Sequence, residues 1–217
     1  MATYTIQIWN QSLASKSYVA FMAQPQVQTR GAQPEIFTNA WATFDSITDG
    51  GFDSITYDDV TYAYWGTSPS ALAPNTTVLS GGVVQVDTTN QSVVPFSGVS
   101  PLGFGDLVNG GAQTGSYAIQ AVSDFTAQNK YVFGLAKPGK TPIPSPVATF
   151  IAEPNDTFNI TPVEKFYVSD SAYTPGAVID TTMTSTSFVE IDFTGKPQNT
   201  ATVIQNADGS FSVTYTS

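Results

Sequence analysis

Thr3 to Pro25 reads TYTIQIWNQSLASKSYVAFMAQP, and Ser116 to Pro138 reads SYAIQAVSDFTAQNKYVFGLAKP. The two segments align without a gap at a constant offset of 113, and eight of their 23 positions are identical. The identities are Tyr4/Tyr117, Ile6/Ile119, Gln7/Gln120, Ala14/Ala127, Tyr18/Tyr131, Val19/Val132, Ala23/Ala136 and Pro25/Pro138. Further on, Thr43-Phe44 with Phe52 matches Thr157-Phe158 with Phe166 at offset 114. Any two β-hairpins share Tyr, Val and Ile, but an ungapped match that also includes a turn-side Ala and a closing Pro favours a repeated unit over coincidence. The expectation is an internal duplication giving two related β-sandwich-like units, residues 1–113 and 114–217, joined through the small, glycine-rich stretch 109–115.

The local pattern agrees on the type of element. Short aromatic and β-branched runs recur at Tyr4 to Trp9, Tyr18 to Met22, Val83 to Val86, Tyr117 to Val122, Tyr131 to Leu135, Phe188 to Phe193 and Phe211 to Tyr215. Between them stand turn residues such as Gly50-Gly51, Gly81-Gly82, Pro175-Gly176 and Asp208-Gly209, and no window carries a strong 3.6-residue apolar period. The fold class is therefore all-β. Asn206 to Gly209 followed by Phe211 to Tyr215 reads as a terminal hairpin. The proline-rich Lys137 to Pro146 falls inside the second unit, as a loop after its second strand.

Composition removes many functions. The chain has no cysteine and no histidine, so disulfides, thiol catalysis, Cys/His zinc sites and Ser-His-Asp systems are excluded. Seven basic residues stand against seventeen acidic ones, for a net charge of −10. So few cations make no stripe for nucleic-acid phosphates or anionic membranes, and neither is expected as a partner. The opening Met1 to Asn10 has no basic start and no apolar stretch of signal-peptide length, and no run is long enough for a membrane helix. A cytoplasmic chain is the expectation, or a secreted one if the sequence is a mature form carrying an added Met. Five N-glycosylation sequons begin at Asn10, Asn75, Asn90, Asn155 and Asn159, a number that richness in Ser and Thr supplies by chance.

Two clusters carry candidate chemistry. Asp45, Asp49, Asp53, Asp58 and Asp59 fall within fifteen residues around Gly50-Gly51, and clustered carboxylates on a glycine turn suit Ca²⁺ or Mg²⁺. Their spacing is not that of an EF-hand, and solvated or capping aspartates are the plain alternative. Neither a two- nor a three-residue hairpin loop across Gly50-Gly51 puts the apolar residues on one face, and a short helical turn with Trp41, Phe44 and Ile47 inward fits about equally. The second cluster is Thr61 to Gly66, whose Tyr62 and Tyr64 would share one strand face with Trp65 on the other. Core packing is the default for such rings, yet Tyr and Trp also hold flat ligands by stacking and one hydrogen bond. Trp9, Trp41, Tyr62, Tyr64 and Trp65 are the expected ligand-binding set, with no catalytic residue assigned. Five glycines in Gly98 to Gly111 make a loop that covers a pocket or joins units, not a dinucleotide fingerprint.

The opening Tyr4 to Gln11 and the blocks Trp41 to Ser46 and Tyr62 to Gly66 resemble uncharacterised fungal proteins of about this size. In size and in lacking catalytic equipment the chain is similar to the pink chromoproteins of oyster mushrooms. That resemblance implies a small, loosely held indolone-type pigment and transfers no site residue. The functional expectation is a non-enzymatic binding protein for a small aromatic or apolar ligand, such as a chromophore. The alternatives are a lectin-like carbohydrate binder, with or without Ca²⁺, and a structural assembly protein; unpaired sandwich edges also allow a homo-oligomer.

Overall fold

In the computed structural model, which describes residues 2–184 and 188–217, the chain runs through eighteen strands. They are β1 (Thr3–Asn10), β2 (Lys16–Met22), β3 (Gln26–Gln28), β4 (Phe37–Thr38), β5 (Ala42–Ile47) and β6 (Phe52–Asp58). Next come β7 (Thr61–Thr67), β8 (Leu79–Val86), β9 (Val93–Ser97), β10 (Gly103–Phe104), β11 (Tyr117–Ala121) and β12 (Tyr131–Lys137). The last six are β13 (Ser145–Ile151), β14 (Thr157–Thr161), β15 (Lys165–Ser169), β16 (Phe188–Asp192), β17 (Thr200–Gln205) and β18 (Phe211–Thr216). Alternation along β1 shows why these segments are strands: Ile6, Ile8 and Asn10 are buried, while Thr3, Thr5, Gln7 and Trp9 lie on the other face. The sequence-level strands all fall on these elements, and the terminal hairpin is β17–β18, with Gln205 opposite Phe211.

The strands make four sheets, in the orders β18-β17-β1-β6, β16-β15-β2-β5, β10-β9-β11-β14-β3 and β4-β13-β12-β7-β8. The first two face each other as one sandwich, where Tyr57 of β6 meets Phe166 of β15 and Tyr18 of β2 meets Phe211 of β18. The last two form a second sandwich, closed by Phe96 of β9 against Phe133 of β12 and by Phe150 of β13 against Phe158 of β14. One continuous apolar cluster runs through both, from Ile6 and Tyr18 to Phe96 and Phe133.

Pairing in the two halves of the chain corresponds strand by strand. β1 pairs antiparallel with β6 and parallel with β17; β11 pairs antiparallel with β14 and parallel with β9. β2 lies between β5 and β15, and β12 between β13 and β7. Registers agree too: Tyr4 faces Tyr57 and Ile6 faces Ile55, as Tyr117 faces Ile160 and Ile119 faces Phe158. The later strands of each half, however, lie in sheets with the early strands of the other. β7 to β10 complete the sheets begun by β11 to β14, and β15 to β18 complete those begun by β1, β2, β5 and β6. All four sheets thus take strands from both sides of residue 113, so residues 1–113 and 114–217 are not spatially separate sandwiches. The match of Thr43-Phe44 to Thr157-Phe158 is corrected as well, because Phe44 lies on β5 whereas Phe158 lies on β14, the counterpart of β6.

The Gly50-Gly51 segment has a simple solution. β5 and β6 do not pair with each other; β5 joins β2 in one sheet and β6 joins β1 in the facing one. The turn is an arch between layers, which is why no hairpin register fits it. Phe44, Ile47 and Ile55 all point into the same core.

Candidate functional site

Two of the short crossovers that carry the chain between sandwiches meet at one place: Asp59-Val60 from β6 to β7, and Pro162-Val163-Glu164 from β14 to β15. Lys137, the last residue of β12, joins them. Its side chain is fully buried, and its Nζ donates to Asp59 Oδ1 at 3.3 Å and to Glu164 Oε1 at 2.8 Å. The two carboxylates are 47% and 41% exposed, so each keeps an open side. A buried ammonium is costly without partners, which explains why two acids converge on it.

A cavity of about 260 Å³ opens on one side of these carboxylates, lined by Tyr4, Tyr57, Phe166, Phe193 and Lys196. The rings form a contiguous row, with centroids 4.8 Å apart for Phe193 and Tyr4, 5.8 Å for Tyr4 and Tyr57, and 5.1 Å for Tyr57 and Phe166. Trp41 packs behind the row, 5.0 Å from both Tyr57 and Phe166. Burial, reinforced by the nearby charges of Glu164 and Asp59 and by Tyr4, pushes the Tyr57 phenol well above its usual range. On the other side of Asp59 and Glu164 lies a more polar cavity of about 450 Å³, bordered by Thr61, Gln85, Asp87, Thr88 and Thr89. A still larger groove of about 910 Å³ runs beside residues 30–37. Its one aromatic wall is Phe37, and its Asp156 is already bound by the Arg30 backbone N–H at 3.2 Å. Convergent polar groups, ring walls and a shifted tyrosine coincide at the seam, which makes the seam the candidate site.

The expected aromatic set does not converge. Trp9 lies on the outer face of its sheet, stacked on Phe52 at 4.5 Å. Trp41 is buried, its Nε1 donating to the Pro138 carbonyl at 2.9 Å. Tyr62 and Tyr64 do share one face, where they pack with Leu72, Val78 and Val178, and Tyr64 hydrogen-bonds Thr149. Trp65 is on the opposite face against Phe96 and Tyr131, fitted over Gly81 and Gly82. Only Trp41 adjoins the seam cavity, and it does so from behind.

The aspartates are dispersed as well. Asp49 accepts from the Leu13 N–H at 3.0 Å, Asp53 from Lys140 at 2.6 Å and Asp58 from the Thr3 hydroxyl at 2.7 Å. Asp45 borders a separate cavity with Tyr173 and Thr174, and only Asp59 belongs to the seam. Among the described residues no three carboxylates stand together as a metal would need. The arch separates β5 from β6, so closeness in sequence does not become closeness in space. Asn10 is no glycan acceptor either: it is buried and its Nδ2 donates to the Ala14 and Ile47 carbonyls.

Sequence reading missed Lys137, Glu164, Tyr4, Tyr57, Phe166, Phe193 and Lys196 as site residues. One signal was present, a lysine closing the otherwise apolar run Tyr131 to Ala136. The rest depends on which strands meet.

The chain matches the RhiA family across residues 1–216. It belongs to that family. No curated protein and no solved structure matches it. The seam of this RhiA-family chain is therefore read from its own geometry. No helix among its described residues is long and apolar enough to cross a membrane.

Proposed function

We propose that this RhiA-family chain is a non-enzymatic binding protein that holds a small aromatic or otherwise apolar molecule in the seam cavity. The observation that carries this reading is the pairing of a packed ring row with two half-exposed carboxylates on a segment fixed by a buried lysine. Rings supply area at low entropic cost, and a few fixed polar groups set orientation. Both crossovers border the cavity; its ring walls come from the first sandwich, and Lys137 of the second fixes its two acids. We further infer that the matched connectivity arose by duplication with exchange of the later strands, which leaves a seam where the crossovers run. A pigment would serve as ligand if compact.

Chemical-shift mapping with indole tests the reading. Shifts should centre on Tyr4, Tyr57, Phe166 and Phe193; shifts centred on residues 30–37 instead would move the site to the larger groove. Protein from its native source should also carry an extractable small molecule.

One observation favours a lectin-like second reading. The Trp9–Phe52 stack lies on an outer sheet face with Phe52 55% exposed and Gln7 nearby on the same face, a platform suited to a sugar ring. Glycan binding on this face would persist in chelator, since no carboxylate cluster supports it.

A further inference from the structure

The charges around the seam cavity do not balance. Asp59 and Glu164 bring two negative charges and Lys137 brings one positive, and Lys137 uses one oxygen of each acid. Lys196, the cation that lines the cavity itself, donates to the Asp192 carbonyl at 2.8 Å and lies 4.7 Å over the Tyr215 ring. It forms no ion pair with either acid among the described residues. Its charge and that of Lys165 are matched by Glu190 and Asp192, with Lys165 Nζ 3.2 Å from Glu190 and 3.7 Å from Asp192, so the seam keeps a net charge of about −1 beside a cavity lined by four aromatic rings.

A neutral guest can use the rings but leaves that charge uncompensated while removing water from it, so it binds less tightly than a cation of the same shape. An anion would be repelled. A monocation gains twice, from the free carboxylate oxygens and from contact with Tyr4, the one half-buried ring of the four, beside the buried Tyr57, Phe166 and Phe193. The chain already uses the same contact internally, with Lys140 Nζ 3.9 Å over Phe44 and Lys196 over Tyr215. Size points the same way: about 260 Å³ falls below the roughly 300–1,000 Å³ of pockets for drug-sized ligands. It suits an ammonium head with small alkyl groups better than an extended ring system. The overall charge of −10 also attracts cations over a distance.

We propose that the seam cavity binds an organic monocation, a primary to quaternary alkylammonium group, with its charge against the Asp59 and Glu164 carboxylate oxygens that Lys137 leaves open and its alkyl groups against Tyr4, Tyr57 and Phe193. This rests on the seam being the ligand site, and it names the ligand class.

The test titrates the full chain with choline, with its uncharged isostere 3,3-dimethylbutan-1-ol, and with indole, following aromatic signals by NMR. Choline should shift Tyr4, Tyr57 and Phe193 and bind roughly fivefold or more tighter than the isostere, and it should weaken as salt rises. Tyr4→Leu should remove that preference and Tyr4→Phe restore it, with both variants keeping the parental circular dichroism. If the isostere or indole binds at these rings as tightly as choline, the site stands and the charge assignment falls. If none of the three probes shifts these rings, both the assignment and the seam reading fall.

Discussion

Thr149 shows how closely buried polar groups are matched in this molecule. Its hydroxyl donates to Asn39 Oδ1 at 2.6 Å and accepts from Tyr64, while Asn39 donates to the Gly176 carbonyl at 2.9 Å. The chain of bonds ties the loop at Gly176 to the middle of a sheet. Thr149→Val keeps the shape but strands the other two groups, so it should cost about 1–3 kcal/mol. For a chain of this size each kcal/mol lowers Tm by about 2–4 °C, readable by thermal unfolding. A pH effect follows at the same scale. Burial pushes the phenols of Tyr18, Tyr57, Tyr64 and Tyr117 above their ordinary 10.0. Folding therefore favours their protonated forms: the contribution is fully present below pH 10 and is lost as pH rises toward the folded-state values. Each such tyrosine takes up to about 1.4 kcal/mol of stability per pH unit above 10. The share of tyrosinate absorbance that belongs to these four of the ten tyrosines should thus appear only together with loss of circular dichroism; ionisation of all ten before unfolding would contradict the burial of these phenols.

At the level of elements, backbone approach sets the strictest demands. A Cβ on Gly134 of β12 would run into the Ala148 carbonyl of β13 and lie 2.6 Å from Tyr64 Cε1. Neither the paired strand nor the packed ring can yield, so Gly134→Ala should cost more than about 3 kcal/mol. Gly50 in the arch has nothing within 4 Å of such a Cβ but has a φ of 75°. Gly50→Ala therefore meets only backbone strain, about 1–2 kcal/mol. Urea midpoints of the two variants should separate accordingly. The contrast also marks what sequence reveals. Strands such as β1 and β18 are legible because period-two alternation is local, and β12 because it is a short aromatic and β-branched run. The same pattern does not say which sheet a strand joins, so the β5–β6 arch looked like a failed hairpin. Tyr62, Tyr64 and Trp65 sort correctly between faces for the same local reason, while their grouping with Trp9 and Trp41 required the topology.

Across the whole molecule, the seam depends on charge placement that only the exchanged strands create. Lys137 was visible as a residue, but its partners come from crossovers far away in sequence. Replacing both partners, Asp59→Asn with Glu164→Gln, would leave its ammonium buried and unpaired, at about 3–5 kcal/mol. Lys137→Met instead leaves two carboxylates that water already reaches, so its cost should stay below about 2 kcal/mol. Denaturant titration of both variants checks that order. Exchange also governs cooperativity. Two independent lobes would melt in two steps, and each could be produced alone. Here β17 and β18 complete the sheet of β1, while β9 and β10 complete that of β11, so neither half can close its sheets or bury its share of the common core. Calorimetry should therefore show one transition with equal calorimetric and van't Hoff enthalpies. Residues 1–113 and 114–217 produced separately should be unfolded or aggregated, because each exposes unpaired strand edges, and mixing them should restore the native circular dichroism. Two resolved transitions, or a stable monomeric half, would show that the exchanged pairing is not what holds the sandwiches together.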